Sequence, residues 1–205
     1  MTNRRFDTHR KTQRLPDFDY SSPGAYFVTV CAQLREAPWF GEVTRDGMQL
    51  NAAGQMVLEV WNDLPLFYAG VAVDAFIVMP DHIHGIITLK PNPTHTVPPN
   101  VGAGPRARPA PAQASSLGRI GQPQGAAPTD AAGAFALFDA VQRFKSLTTN
   151  RYIQGVRELG WTPFEKRLWQ RSYFEHVVRN MHDLEVRRNY ISGNPTRWLE
   201  GRGLV

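Results

Sequence analysis

A chain of 205 residues with 42% hydrophobic content can bury one substantial core and would be stretched to build two. Its formal charge of +5 and pI near 9.7 fit a polyanion partner, and its single cysteine, Cys31, excludes an internal disulfide. No apolar run approaches the roughly 20 residues of a membrane span, and residues 1–7 lack the apolar core of a signal peptide. The expectation is a soluble, cytoplasmic protein with no membrane attachment.

The chain opens on a basic N-terminal arm, residues 1–22, in which Arg4, Arg5, Arg10, Lys11 and Arg14 face few acids. Such an arm is either a solvated tail or a phosphate-contacting segment. Residues 25–31 are β-branched and aromatic, and Pro23 and Gly24 punctuate a strand start, with Cys31 an inert thiol at its end. Asp46 and Gly47 mark a small hairpin. Asn51 then caps a helix whose Met56, Val57, Val60, Trp61 and Leu64 recur at helical spacing, and Pro65 is expected to end it. Residues 71–79 and 82–89 read as neighbouring strands separated by Pro80 and Asp81.

Residues 91–133 change character, with nine of the sixteen prolines and almost no large apolar side chains, as in a disordered Pro/Gly/Ala-rich insertion. Order is expected to resume with a helix from Phe135 toward Tyr152, a last strand over 168–174, and a helix capped by Asn180 and stopped at Gly193, Asn194 and Pro195. A single domain over 23–200, interrupted at 91–133, follows. The fold class is α+β: a ferredoxin-like antiparallel sheet with helices on one face, plus a C-terminal helix. That fold hosts many functions, so the chemistry has to come from particular residues.

His82 and His84 lie two apart on a predicted strand, so both imidazoles share a face while Ile83 points to the other. Such a pair can grip one metal ion, although two histidines so spaced are often only surface residues. Tyr190 and Asn194 are four apart in the last helix, where one could be a nucleophile and the other a ligand. The commoner use of both is packing for the ring and C-terminal capping for the amide. Lys145 and Arg171 join the basic arm as candidate DNA contacts.

Taken together, residues 14–20, 24–29, 78–85, 144–146, 169–173 and 190–195 resemble, in order and spacing, the HUH single-tyrosine transposases, and most closely the REP-associated tyrosine transposases. The resemblance implies that His82 and His84 bind a divalent metal, Mg²⁺ or Mn²⁺, that Tyr190 is the catalytic nucleophile, and that Asn194 completes the metal site. In insertion-sequence relatives a glutamine stands at that last position. The implied function is a metal-dependent single-stranded DNA endonuclease and strand-transferase, acting at DNA hairpins through a 5′-phosphotyrosine. A monomer is favoured over a homodimer. The alternative from another class is a non-catalytic single-stranded nucleic-acid-binding module, for which His82, His84 and Tyr190 would have no special role.

Overall fold

The computed structural model describes residues 18–35, 37–91 and 135–204. Arg4, Arg5, Arg10, Lys11 and Arg14, and the insertion apart from Pro91, lie outside the described residues.

Strand β1 (Gly24–Cys31) is followed by the hairpin β2 (Gly41–Thr44) and β3 (Gly47–Leu50), helix α1 (Ala52–Phe67), and strands β4 (Val71–Met79) and β5 (His82–Leu89). Helix α2 (Leu137–Leu159), strand β6 (Phe174–Val178), and helices α3 (Met181–Ser192) and α4 (Asn194–Glu200) complete the chain. The main sheet has the order β4-β5-β1-β6 with every neighbouring pair antiparallel. Setting aside the β2–β3 hairpin, the order β-α-β-β-α-β with that strand arrangement is the ferredoxin-like one expected.

Strand alternation divides the sheet into two faces. Tyr26, Val28, Val30, Ile83 and Ile87 point to one face and pack with Val57, Val60, Trp61 and Leu64 of α1 and Val141, Phe144 and Tyr152 of α2. Phe27 and Ile86 point to the other, where Ile191 of α3 meets them in a second, smaller cluster. His82 and His84 share the parity of Ile86 and so belong to that smaller face.

The local signals explain most boundaries. Asn51 accepts from the Gly54 amide and starts α1. Asn180 does the same for α3 through Asp183, and Gly160, at φ 69°, closes α2 in the left-handed conformation. The hairpin turn is Arg45 and Asp46, since Thr44 pairs with Gly47, which opens β3 at φ 114°.

Three features differ from expectation. Helix α1 runs through Pro65 to Phe67; Leu64 is fully buried, and its packing holds it helical against the preference of a residue before proline. The last strand is β6, not 168–174. Leu168 to Gln170 make only a bridge to the end of β1. Trp169 stacks on Phe40 and donates to Thr148, while Lys145 gathers the next three carbonyls, so the backbone turns away before it can pair. The helix capped by Asn180 stops at Gly193 as expected, but a further helix follows at once, which places Tyr190 on α3 and Asn194 at the start of α4. Pro195 suits the first turn of that new helix, where its missing N–H costs nothing.

Candidate active site

The Pro80–Asp81 turn joins β4 to β5 with Met79 opposite His82, and β1 lies on the other side of β5 with Thr29 opposite His84. This register decides the surroundings of both imidazoles. Asp81 Oδ1 lies 2.6 Å from His82 Nδ1, and Thr29 Oγ1 lies 2.7 Å from His84 Nδ1. With each Nδ1 engaged, the two Nε2 atoms face each other at 3.1 Å. Asp81 is itself held by Arg35, whose Nε donates to Oδ2 at 2.8 Å.

Both histidines are buried. Burial, and then the neighbouring charges of His82 and Arg35, push His84 down to about 3 against the opposing pull of Asp81. It is therefore a neutral imidazole at neutral pH, with a lone pair to share. Phe27 stacks on His84 at 5.5 Å with ring planes 20° apart, which shields one side of the ring from water.

Tyr190 comes from α3 and lies edge-on to His84, with centroids 5.1 Å apart at 75°, and to Phe27 at 5.8 Å. It remains 37% exposed, so its phenol is reachable from solvent. Arg197 of α4 donates to the Tyr190 carbonyl at 2.9 Å and holds its guanidinium 5.0 Å from the ring centroid. Asn194 is buried at the first position of α4. Trp198, four residues on and so on the same face of α4, places its ring 5.7 Å from His82.

Few apolar contacts hold α3 to the sheet, and charges do much of the rest. Arg188 makes a two-pronged pair with Asp74 of β4, at 3.0 and 2.6 Å. Asp183 bonds His176 of β6 at 2.8 Å and Arg187 at 3.1 Å. Partial burial raises the Asp183 carboxyl, but the bonds from His176, the Arg179 amide and Arg187 outweigh it and hold the group at about 2. The tyrosine helix is thus clamped at both edges of the sheet.

The donor set suits a cation. Two imidazole nitrogens each about 2.1 Å from one divalent ion stand roughly 3 to 3.4 Å apart, and the Nε2 atoms of His82 and His84 meet that spacing. Asp81 behind His82 is the carboxylate partner that orients such a ligand. No third His, Cys, Asp or Glu joins them among the described residues.

The structure therefore brings His82, His84 and Tyr190 together, with Asn194 on the helix face that approaches His82. Lys145 is different from expectation: it is buried, and its ammonium donates to the carbonyls of Gln170, Arg171 and Ser172, with burial pushing it down to about 8. It organises the segment before β6 and does not face outward as a phosphate contact. Arg171 is exposed. Thr29, Asp81, Arg35, Phe27 and Arg197 were missed as site residues. Asp81 adjoins His82, Thr29 follows from pairing β1 with β5, and Phe27 lies within the 24–29 segment, but Arg35 and Arg197 carry no motif signal.

No helix among the described residues is long and apolar enough to cross a membrane. No protein-family model matches the chain. Among solved structures, a REP-associated tyrosine transposase bound to a REP hairpin is 18% identical, with 92% of this chain and 73% of that chain covered and a TM-score of 0.48. A candidate transposase from Deinococcus radiodurans is 14% identical over 89% of this chain and 96% of that one, with a TM-score of 0.38. A Haemophilus influenzae protein, itself uncharacterized, is 30% identical over 190 residues, which is 93% of this chain and 90% of the relative. The chain belongs to the same family as that Haemophilus influenzae protein.

Proposed function

We propose that the protein is a transposase-like, metal-dependent endonuclease and strand-transferase that acts on single-stranded DNA at hairpins through a 5′-phosphotyrosine intermediate. The observation that carries this reading is the Tyr190 ring 5.1 Å from that of His84, whose Nε2 is 3.1 Å from that of His82. The ordered motifs shared with the REP-associated tyrosine transposases support the same assignment from sequence.

In this reading Tyr190 Oη attacks the phosphorus of a phosphodiester. The Oη–P bond forms, the P–O3′ bond breaks, the phenol gives up its proton and the departing 3′ oxygen takes one up. The 5′ end stays on Tyr190, so the bond energy is kept and attack by a 3′-OH rejoins a strand without a nucleotide cofactor. A divalent cation, Mg²⁺ or Mn²⁺, held by His82, His84 and Asn194 would polarise the phosphate and offset its developing charge. Asp81 and Thr29 fix the two imidazoles. Arg197 restrains the backbone of Tyr190 and sets a positive charge over the ring where a phenolate develops. One tyrosine forms one such link at a time, which a monomer can do.

The test uses a single-stranded hairpin substrate with Mg²⁺ or Mn²⁺ and denaturing gels. The wild-type chain should yield a covalent DNA adduct. Tyr190→Phe keeps the ring and its contacts but removes the nucleophilic oxygen, so the adduct should vanish while DNA affinity is nearly unchanged. His82→Ala and His84→Ala should suppress it as well. An adduct that persists in Tyr190→Phe refutes the assignment of the nucleophile, and DNA binding with no cleavage by the wild type favours the non-catalytic binding module.

A further inference from the structure

A cavity of about 770 Å³ opens between the segment after β1, the N-terminus of α1 and the segment after α2, and neither His82, His84, Tyr190 nor Asn194 lines it. Its wall is aromatic. Tyr152 lies 6.2 Å from Trp39, 5.2 Å from Trp161 and 5.7 Å from Phe164, centroid to centroid, and the last three rings are each only partly buried. The polar handles of Tyr152 and Trp39 are spent within the wall, on the carbonyls of Thr162 and Leu34. What remains for a ligand is ring surface. Gly155 is what admits Trp161: a Cβ there would stand 2.3 Å from the indole.

The rim is positive. Lys166 and Arg167 are exposed, and their side chains have no hydrogen-bond or ion-pair partner among the described residues, with Glu165 the acid beside them. Lys166 is also the one non-glycine described residue with positive φ, at 44°, a conformation that costs of order 1 kcal/mol or more and persists where the surroundings impose it. Asn51, Ala52 and Ala53 bring the N-terminus of α1 to the same cavity, and that first turn carries no acid, so its amides and dipole favour an anion.

Flat ring surface beside an anion-favouring rim is the chemistry of a nucleotide: a base to stack and a phosphate to neutralise. We propose that this cavity binds an unpaired nucleotide of the single-stranded DNA, its base against Trp39, Trp161 and Phe164 and its phosphate toward Lys166, Arg167 and the α1 N-terminus. The volume lies in the range of pockets that enclose a small ligand, enough for one or two nucleotides. One backbone link joins the cavity wall to the turn that precedes His82. The Ala32 amide donates to the Asp81 carbonyl, and the next residues, Gln33 and Leu34, line the cavity. The choice of DNA as the source of the nucleotide rests on the proposed function.

The experiment uses the full chain and two probes, a blunt hairpin and the same hairpin with a single-stranded extension carrying 5-iododeoxyuridine. The proposal expects photocrosslinks at Trp39, Trp161 or Phe164. It also expects the double variant Lys166→Glu, Arg167→Glu, and separately Trp161→Ala, to lose about tenfold in affinity for the extended hairpin. Trp161→Phe should retain that affinity, and blunt-hairpin affinity should not change in any variant. Unchanged affinity of the charge-reversal variant, with crosslinks only outside the cavity, overturns the proposal. Because neither rim residue packs in the core, that variant keeps the test open even if Trp161→Ala misfolds. The Tyr190 adduct is read on the same probes. An adduct with no cavity effect leaves the catalytic reading standing alone, a cavity effect without an adduct leaves the cavity alone, and a wild type that binds neither probe ends both.

Discussion

Gly85, one residue beyond His84, is where β5 meets α1, and replacing it with alanine tests the packing beneath the site. A Cβ there would stand 2.4 and 2.5 Å from Cζ2 and Cη2 of Trp61 and 2.8 Å from Cδ2 of Phe76. Carbon atoms rest at about 3.5 to 4.0 Å, so the overlap exceeds an ångström against one ring and approaches it against the other. Neither ring can yield cheaply: Trp61 is buried, stacks on Phe76 at 4.3 Å and meets Phe144 edge-on. The clash should cost about 3 kcal/mol, the upper end for overpacking. Alanine regains roughly 0.5 to 1 kcal/mol of the entropy that glycine loses in a strand. The net of about 2 to 2.5 kcal/mol should lower the urea midpoint by about 1 M for an m-value near 2 kcal/mol/M. Trp61→Phe removes the ring edge that the new methyl would strike, and also a buried indole N–H that has no hydrogen-bond partner. Combined with Gly85→Ala it should recover at least about 1 kcal/mol relative to additivity in a double-mutant cycle. A single-variant shift under about 0.3 M, or strict additivity of the pair, would refute the argument.

Two further outcomes are expected. The Asp183 carboxyl sits at about 2 when folded against 3.8 in its ordinary state. A depressed carboxyl contributes stability above its unfolded value that is lost as pH falls through the folded one. Asp183→Asn should therefore flatten the acid limb of the stability profile between about pH 4 and 2, measured by denaturant unfolding across that range, and an unchanged limb counts against the clamp. Asp81→Asn keeps the shape of the side chain but removes the carboxylate behind His82, and should weaken Mn²⁺ binding about 10- to 100-fold by calorimetric titration. Unchanged affinity would mean that Asp81 only braces Arg35.

Residues whose signal is local were legible in the sequence. The period of two in β5 placed His82 and His84 on one face and Ile83 on the other, and Asn51, Asn180 and Gly160 act through neighbours a few residues away. The β-α-β-β-α-β order followed from such segments, and the two sheet neighbours of β5 follow from that order. What only the tertiary structure decided lies where distant segments compete for the same groups. Trp169 and Lys145 pull 168–172 out of strand pairing because Phe40, Thr148 and three carbonyls are available to them, and β6 therefore begins at Phe174. Leu64 keeps α1 helical up to Pro65 because burial outweighs local preference. Tyr190 reaches His84 because Asp74 and Asp183, from β4 and α3, fix the helix that bears it, and the aromatic cavity exists only because α1, the β1–β2 segment and the residues after α2 converge. Short-range hydrogen bonding and strand parity are written in consecutive residues. The contacts that position Tyr190 over a histidine pair join residues far apart in the chain, and only packing brings them within reach.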